Sequence, residues 1–510
     1  MLVALPILIP LTGAALCVLC WGRVALHRVI GVCSMLALLA VSIQLLLTVR
    51  TGEIIALHVG GWNAPVGISL VADRLSCLMT LLTAIVGLGA VVSSCFSTDD
   101  ARARMGHFPL VLALLGAVCG AFLTGDLFNL YVWFELLLLS SFVLLTLGGE
   151  RPQLEGAIKY VTLNLVSSIL FLASVGLVYG ITGTLNMADL AVRLDALPPE
   201  QATMLAAPLL VAFAIKGGVF PFFFWLPASY HTPPPVVSAL FAGLLSKVGV
   251  YAIIRASTLL FDQEWALMGD VVLLFAGLTM ITGVIGAIAQ TDMRRILAFH
   301  IVSQIGYMLM GLGVAMSAAA RGAPLEVVAL ALAGSVFYIL HHIIVKTNLF
   351  FVTGVVVHEY GTSELAAVDG VVKTRPALAA LFLVSALSLA GIPVLSGFWA
   401  KLALVRGGLE AGAFVIVGVS LAVSLLTLFS MMKIWTQGFW GEASPLSDQP
   451  LSKARARGLL LPIVCLALLT VSIGIGAKPV YEFATATASQ LLDPGQYIQA
   501  VLEIEAEPSP

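Results

Sequence analysis

Glu135, Lys216, Lys247, Lys346 and Lys401, together with His300, His341 and His342, each interrupt a long apolar run. A charge near the centre of a bilayer is costly, so it must face a protein interior, a partner or water. Burial and neighbouring like charges lower the pKa of a lysine, and an adjacent carboxylate raises it. Lysines in that setting hold or release a proton near neutral pH, which is the chemistry of a proton relay. Glu135, in Phe128-Asn129-Leu130-Tyr131-Val132-Trp133-Phe134-Glu135, is the one clear carboxylate among them and needs a cation. Ser335, Tyr338, His342 and Lys346 recur at spacings of three and four and share one helical face. His300, Ser303, Gln304 and Tyr307 form a second polar stripe. Inside lipid such stripes must point inward, where they bind water or bond across helices. His341, rotated about 100° from His342, reads as packing. Lys433, near a helix end, reads as a snorkelling side chain.

The elements that position these groups are membrane helices. The chain has 510 residues, 60% hydrophobic and 10% charged, whereas soluble domains carry roughly 25% charged residues. That balance excludes a soluble enzyme, and no nucleic-acid partner is expected. Apolar runs of spanning length predict fourteen helices. Their approximate cores are 2–22, 29–49, 72–95, 107–124, 128–147, 160–183, 204–227, 235–258, 268–290, 296–316, 327–357, 377–405, 411–436 and 459–477. The stretches 327–357 and 377–405 exceed one straight span, so tilt or breakage is expected. Met1 to Trp21 has no basic n-region and no small-residue cleavage site, and reads as a retained first helix.

Alternate loops differ in charge. One set carries thirteen Lys and Arg residues from Arg23 to Arg457, and the other only Arg50, Arg193, Arg255, Arg321, Arg406 and Lys478. The richer set is placed inside, which puts both termini outside. The acidic, proline-containing tail from Asp493 to Pro510 is expected to be poorly ordered. Cys17 and Cys20 have the C-x-x-C spacing, but lie in an apolar helix without a second pair or a nearby His. They read as two buried side chains, and neither a metal site nor any cofactor is expected.

Two spans are interrupted by Gly and Pro, at Lys216-Gly217-Gly218-Val219-Phe220-Pro221 and at Gly391-Ile392-Pro393 before Lys401. Proline removes a backbone donor and breaks a helix. A pair of broken helices, each carrying a lysine, points to an inverted-repeat transporter and its ion path.

These motifs, with Ala157-Ile158-Lys159-Tyr160, Trp225-Leu226-Pro227, His231-Thr232-Pro233-Pro234-Pro235, Ser246-Lys247-Val248-Gly249 and Asp292 before Arg294-Arg295, resemble one family. It comprises the antiporter-like membrane subunits of respiratory complex I, membrane-bound hydrogenases and Mrp-type cation/proton antiporters. Within it, Gly125-Asp126-Leu127-Phe128-Asn129 through Glu135 is most similar to the D-type subunits of the Mrp Na+/H+ antiporters. The resemblance implies an all-α polytopic fold of about fourteen helices with two inverted five-helix repeats and broken helices seven and twelve. It divides the chain into N-terminal helices (1–106), a first half (107–260), a second half (261–440) and a final helix with tail (441–510). It implies an ion pair of Glu135 with Lys216, a relay through Lys247, His342 and Lys346, and a terminal site at Lys401, with His300, Gln304 and Tyr338 in support. Implied partners are the other subunits of a multisubunit antiporter, membrane lipid, protons and Na+. A redox-driven proton pump shares the same relay. No flavin, quinone, haem or cluster motif, and no dense carboxylate site of the kind hard cations prefer, is visible in the chain.

Overall fold

In the hydrocarbon layer each spanning segment must satisfy its own backbone, so long apolar runs become helices. The computed structural model describes residues 1–263, 265–442 and 453–503. The spans are α1 Leu5–Leu19, α2 Val24–Val49, α3 Arg74–Ser97, α4 His107–Leu123, α5 Leu127–Thr146, α6 Arg151–Thr182, the broken α7 (α7a Pro199–Gly217, α7b Trp225–Ser229) and α8 Pro235–Leu259. They continue with α9 Trp265–Ile288, α10 Met293–Ala320, α11 Leu325–Tyr360, the broken α12 (α12a Pro376–Ala390, α12b Ser396–Glu410), α13 Phe414–Phe439 and α14 Lys453–Ile475. Eleven of these are long and apolar enough to cross a membrane unaided. The other three are the 17-residue α4 and the two interrupted helices.

The structure corrects several expectations. Of the two long stretches, for which tilt or breakage is expected, the twelfth is broken and the eleventh is one unbroken 36-residue helix, about 54 Å long at 1.5 Å per residue. The sixth starts at Arg151, which puts Lys159 on a helix, bonded to Glu155 at 2.5 Å. The segment after α14 is folded into α15 Ala477–Leu491 and α16 Pro494–Leu502. The tail is thus helical through Leu502, and residues 504–510 lie outside those described. Arg255 is no loop residue, because it is buried in α8 and ion-paired with Asp73. An antiparallel hairpin, β1 Ile55–His58 with β2 Ser69–Ala72, joins α2 to α3 where the hydropathy pattern shows only a loop. Fourteen spans leave the N-terminus and the tail on the same face of the bundle. Gln490 of α15 donates to Gly52 O at 3.1 Å, which makes that face the one bearing the hairpin.

The repeat too weak to read in sequence is visible as one backbone device built twice. Met187 N donates to Gly125 O and Leu127 N to Leu185 O, at 2.8 and 2.9 Å. In the second half Leu365 N donates to Thr291 O and Met293 N to Ser363 O, at 3.0 and 2.8 Å. Asp126 and Asp292 sit at matching places and cap α5 and α10, accepting from Asn129 N at 2.7 Å and Arg295 N at 2.8 Å. Gly183 and Gly361, both at positive φ, end α6 and α11. Five spans separate the equivalent helices, an odd number, so the halves run in opposite directions.

Small residues set the helix spacing at the first break. A Cβ on Gly249 of α8 would stand 2.4 Å from Gly217 N and 2.8 Å from Lys216 C. The broken end of α7a therefore rests directly on the α8 backbone, two residues beyond Lys247. Gly249→Ala should cost about 1–3 kcal/mol through overpacking. We expect a lower thermal midpoint for the detergent-purified protein, and an unchanged midpoint would show that the two backbones are not in contact.

Candidate functional site

The break in α7 is held by side chains from its own motif and from α9. Gly218, at φ +74°, caps α7a. Trp225 Nε1 donates to the Ile215 carbonyl at 3.0 Å, and Phe220 N donates to Thr279 Oγ1 at 3.0 Å. Backbone groups that the break would orphan are thus paired. Lys216, in the last turn of α7a, is buried, and its Nζ has no hydrogen-bond partner among the described residues. Its ammonium lies 5.5 Å from the centroid of the Phe134 ring, a cation–π contact. Glu135 is the next residue of α5. One of its carboxylate oxygens is buried and has no partner among the described residues, although its charge reaches Lys216. The two expected to pair are neighbours but form no ion pair within 4 Å.

Lys247 follows a π turn, Phe241–Leu245, in α8. Such turns are frequent at functional sites. It is fully buried and donates to the Ala242 carbonyl, with Ser246 Oγ at 3.3 Å. Its charge reaches both His342 and Lys346.

The stripes on α10 and α11 face each other. Ser335 bonds Met308 O at 2.5 Å, Tyr338 bonds Gln304 Oε1, and Lys346 bonds Leu297 O at 3.1 Å. Each pair of residue numbers sums to 642 or 643, as antiparallel neighbours require. The same register sets His300 opposite His342. Both ring nitrogens of His342 are buried and have no hydrogen-bond partner among the described residues. His300 Nε2 contacts Ser430 Oγ of α13 at 2.9 Å, and its Nδ1 is unpartnered. The charges of both Lys346 and Lys401 reach His300, so His300 bridges the central cluster and the last lysine.

At the second break, Gly391 (φ +93°) ends α12a, and Ser388 Oγ accepts from Gly397 N at 3.2 Å. A Cβ on Gly397 would stand 1.8 Å from Ser388 O, so only glycine fits there. Lys401 turns back onto the open end of α12a. It donates to Ala390 O at 3.0 Å and Ser424 Oγ at 2.5 Å, and it lies 5.0 Å from the Tyr307 ring centroid. A cation at a helix C-terminus is favourably placed. His341, read as packing, instead contacts Ser396 Oγ of α12b at 2.8 Å, with its other nitrogen unpartnered, and feels the charge of Lys401. Its position one step from His342 conceals this, because α12b approaches α11 from another side. Lys433 bonds Ile288 O and Gln290 O at 3.1 and 2.6 Å, closing the end of α9 apart from the line.

Loops brace the site. Arg294 donates to the Pro233 carbonyl and to Ser238 Oγ at 2.6 Å, pinning the His231-to-Pro235 loop to α10. Burial pushes the His231 imidazole down to about 4, so this loop histidine stays neutral at physiological pH. Two cavities of about 430 Å³ each open at opposite faces of the bundle. One, on the face opposite the hairpin, is lined by Ser93, Asp99, Arg102, His107, Phe351 and His358. The other lies along α12b between Trp399, Arg406, Lys478 and Tyr481.

The chain matches known proteins along nearly its whole length. The family model described as NADH:quinone oxidoreductase/Mrp antiporter, TM covers residues 124–427. The D-type subunit of the Na(+)/H(+) antiporter of Alkalihalophilus pseudofirmus is 46% identical over 505 residues, spanning 98% of this chain and 99% of that protein. A chain in the structure of the Mrp complex from Dietzia sp. DQ12-45-1b superposes with TM-score 0.90 at 32% identity, over 98% of this chain and 99% of that one. A chain of the membrane-bound sulfane sulfur reductase, an archaeal respiratory membrane complex, gives TM-score 0.88 at 25% identity with the same coverage. A polytopic helical chain with paired broken helices, these matches and the match to the family model lead to one conclusion: the chain belongs to the antiporter-like membrane subunits of the NADH:quinone oxidoreductase and Mrp antiporter family.

Proposed function

We propose that this subunit carries protons through the membrane in exchange for Na+, along Glu135, Lys216, Lys247, His342, Lys346 and Lys401. His300, Gln304 and Tyr338 hold the second half of that line in register. The observation that carries the reading is a buried row of basic groups running across two broken helices, several with unsatisfied nitrogens. Such groups are expensive in a membrane and mark proton pathways. The relay sits in a cell-membrane subunit with the hairpin face and both termini outside. With Arg255 and Lys159 both moved from loops to helices, the sets become twelve and five (13 − 1 and 6 − 1), and the bias keeps its direction. The functional units are the N-terminal helices 1–106, the halves 107–260 and 261–440, and the last helix with its tail, 441–510. The chain works as a transporter rather than an enzyme.

Glu135 sets the first switch. When its carboxylate approaches Lys216 it holds the ammonium charged. When the two separate, as in this structure, the lysine keeps only the Phe134 ring and passes its proton toward Lys247. For an inward proton flow exchanged against Na+, the cavity along α12b, near Lys401, gives access from outside, and the cavity opposite the hairpin opens to the inside. Likeness to a respiratory membrane complex favours a second reading, the same relay driven by redox chemistry. Genes for the small antiporter subunits beside this one, or genes for iron–sulfur subunits, decide between the two.

Glu135→Gln keeps size and removes the loading charge. Everted vesicles from cells with the full complex should lose most Na+-driven proton movement at every pH tested, with normal subunit levels by immunoblot. Full activity would reject the switch.

Lys401 distinguishes a proton carrier from a fixed charge. Arginine stays protonated at any physiological pH, so Lys401→Arg keeps the charge but cannot release a proton. Both Lys401→Arg and Lys401→Ala should abolish or strongly reduce exchange, with Arg at most a partial rescue. Near-wild-type exchange by Lys401→Arg, at normal assembly, would show that Lys401 only supplies charge.

A further inference from the structure

Lys247, Tyr251 and Arg255 stand four residues apart and form one stripe on α8, about 12 Å long at 1.5 Å per residue. The stripe runs from the relay toward the hairpin face. Tyr251 donates to Phe122 O of α4 at 2.7 Å, and Arg255 reaches Tyr251 Oη at 3.4 Å. Polar groups thus continue outward from Lys247 where the proposed pathway turns sideways. At its end Arg255, 7% exposed, is paired with Asp73, 2% exposed. Asp73 is held in place as the N-cap of α3, accepting from Ser76 N at 2.8 Å.

The pair is covered from outside by the C-terminal helix. The Tyr497 ring of α16 lies 5.3 Å from the Arg255 guanidinium, and the Tyr251 ring lies at 5.6 Å. The helix before it is strapped down by Arg74, which donates from N to Gln490 Oε1 and from Nη1 to Ala486 O, both at 3.0 Å. Beyond, Glu503 lies 3.6 Å from His58 of the hairpin.

A buried ion pair gains little over apolar residues of similar volume, so stability alone does not account for this one. What a guanidinium supplies that an apolar side chain does not is a permanent positive charge, and a charge of this kind in a pore excludes protons and cations. An open cavity lies beside α12b on the same face, whereas the stripe above Lys247 ends in this buried pair. We propose that the Arg255–Asp73 pair, under Tyr497, is an electrostatic seal that closes the stripe above Lys247 and forces protons sideways to the second half. This inference rests on the relay reading of Lys247.

Proton leak without Na+ tests it. Proteoliposomes containing the whole complex are given an imposed pH gradient, and its collapse is followed with a pH-sensitive dye. Asp73→Asn with Arg255→Gln keeps a capping side chain and leaves no unpaired buried charge, and collapse should be several-fold faster than wild type. Adding Lys247→Ala to that pair should restore a tight membrane, because the route starts at Lys247. Wild-type tightness of the paired variant overturns the seal, and so does a leak that survives Lys247→Ala. Should the paired variant fail to assemble, Arg255→Gln alone decides: it removes the guanidinium and keeps Asp73 as the cap of α3, so a several-fold faster collapse supports the seal and wild-type tightness overturns it. The relay itself is judged by Na+-driven exchange in Lys401→Arg, so failure of one reading is separable from failure of the other.

Discussion

An ammonium group inside a membrane needs oxygen atoms around it, and an intact helix has few backbone carbonyls to spare. Several of the lysines are placed where that shortage is relieved. Lys401 binds the carbonyl left open at the end of α12a, and Lys433 those at the end of α9. Lys247 binds a carbonyl inside a π turn. Lys346 shares a carbonyl with an unbroken helix. A hydrogen bond to a charged group contributes about 1.5–3 kcal/mol, and a cation–π contact roughly 0.5–2 kcal/mol. By that measure Lys216, with only an aromatic ring, is the least well solvated of the five. The fold therefore meets its buried cations in different ways: one break supplies Lys401 with a free carbonyl, a π turn and an unbroken helix supply Lys247 and Lys346, and the other break leaves Lys216 against a ring alone.

The scaffold is repeated, but the chemistry is not. Gly125 and Thr291 occupy equivalent places in the two bridges, an offset of 291 − 125 = 166. At that offset Glu135 corresponds to Ile301, and His300 to Phe134. One half thus carries a carboxylate where the other is apolar, and the histidine that feels both Lys346 and Lys401 has an aromatic counterpart. An inverted repeat offers two similar sites for ionisable groups on opposite-running helices. The two are filled differently, with an acid beside Lys216 in the first half and only basic groups around Lys346 and Lys401 in the second.

The unbroken α11 connects these parts. Its length lets one face carry Ser335, Tyr338, His342 and Lys346 against α10, while His341 on a neighbouring face meets the break in α12. A kink in this helix would rotate one set of contacts relative to the other. The Tyr307–Tyr338 stack, with ring centroids 5.0 Å apart and planes 8° from parallel, stiffens the same junction beside Lys401.

Hydropathy and helical spacing determined much of this protein on their own. Fourteen spans, the two breaks, the polar faces of α10 and α11 and every lysine of the line are readable from the chain, because a polar group costs so much in a membrane that it stands out. The rest depends on which helices touch. Arg255 looks like a loop charge because it lies near the end of an apolar run, and only packing against Asp73, 182 residues away, reveals it as buried. The spacing of Lys247, Tyr251 and Arg255 is the available signal, but spacing names a face and not what the face meets. His341 is hidden for the same reason. The acid and proline content of the tail suggests disorder, yet α15 and α16 dock through Gln490 and Tyr497 onto partners more than 200 residues away. The hairpin carries too few residues to announce itself without the loops it braces. Burial of single residues is a local property that composition records, whereas the pairing of buried residues is set by helix packing, and only the tertiary structure decides it.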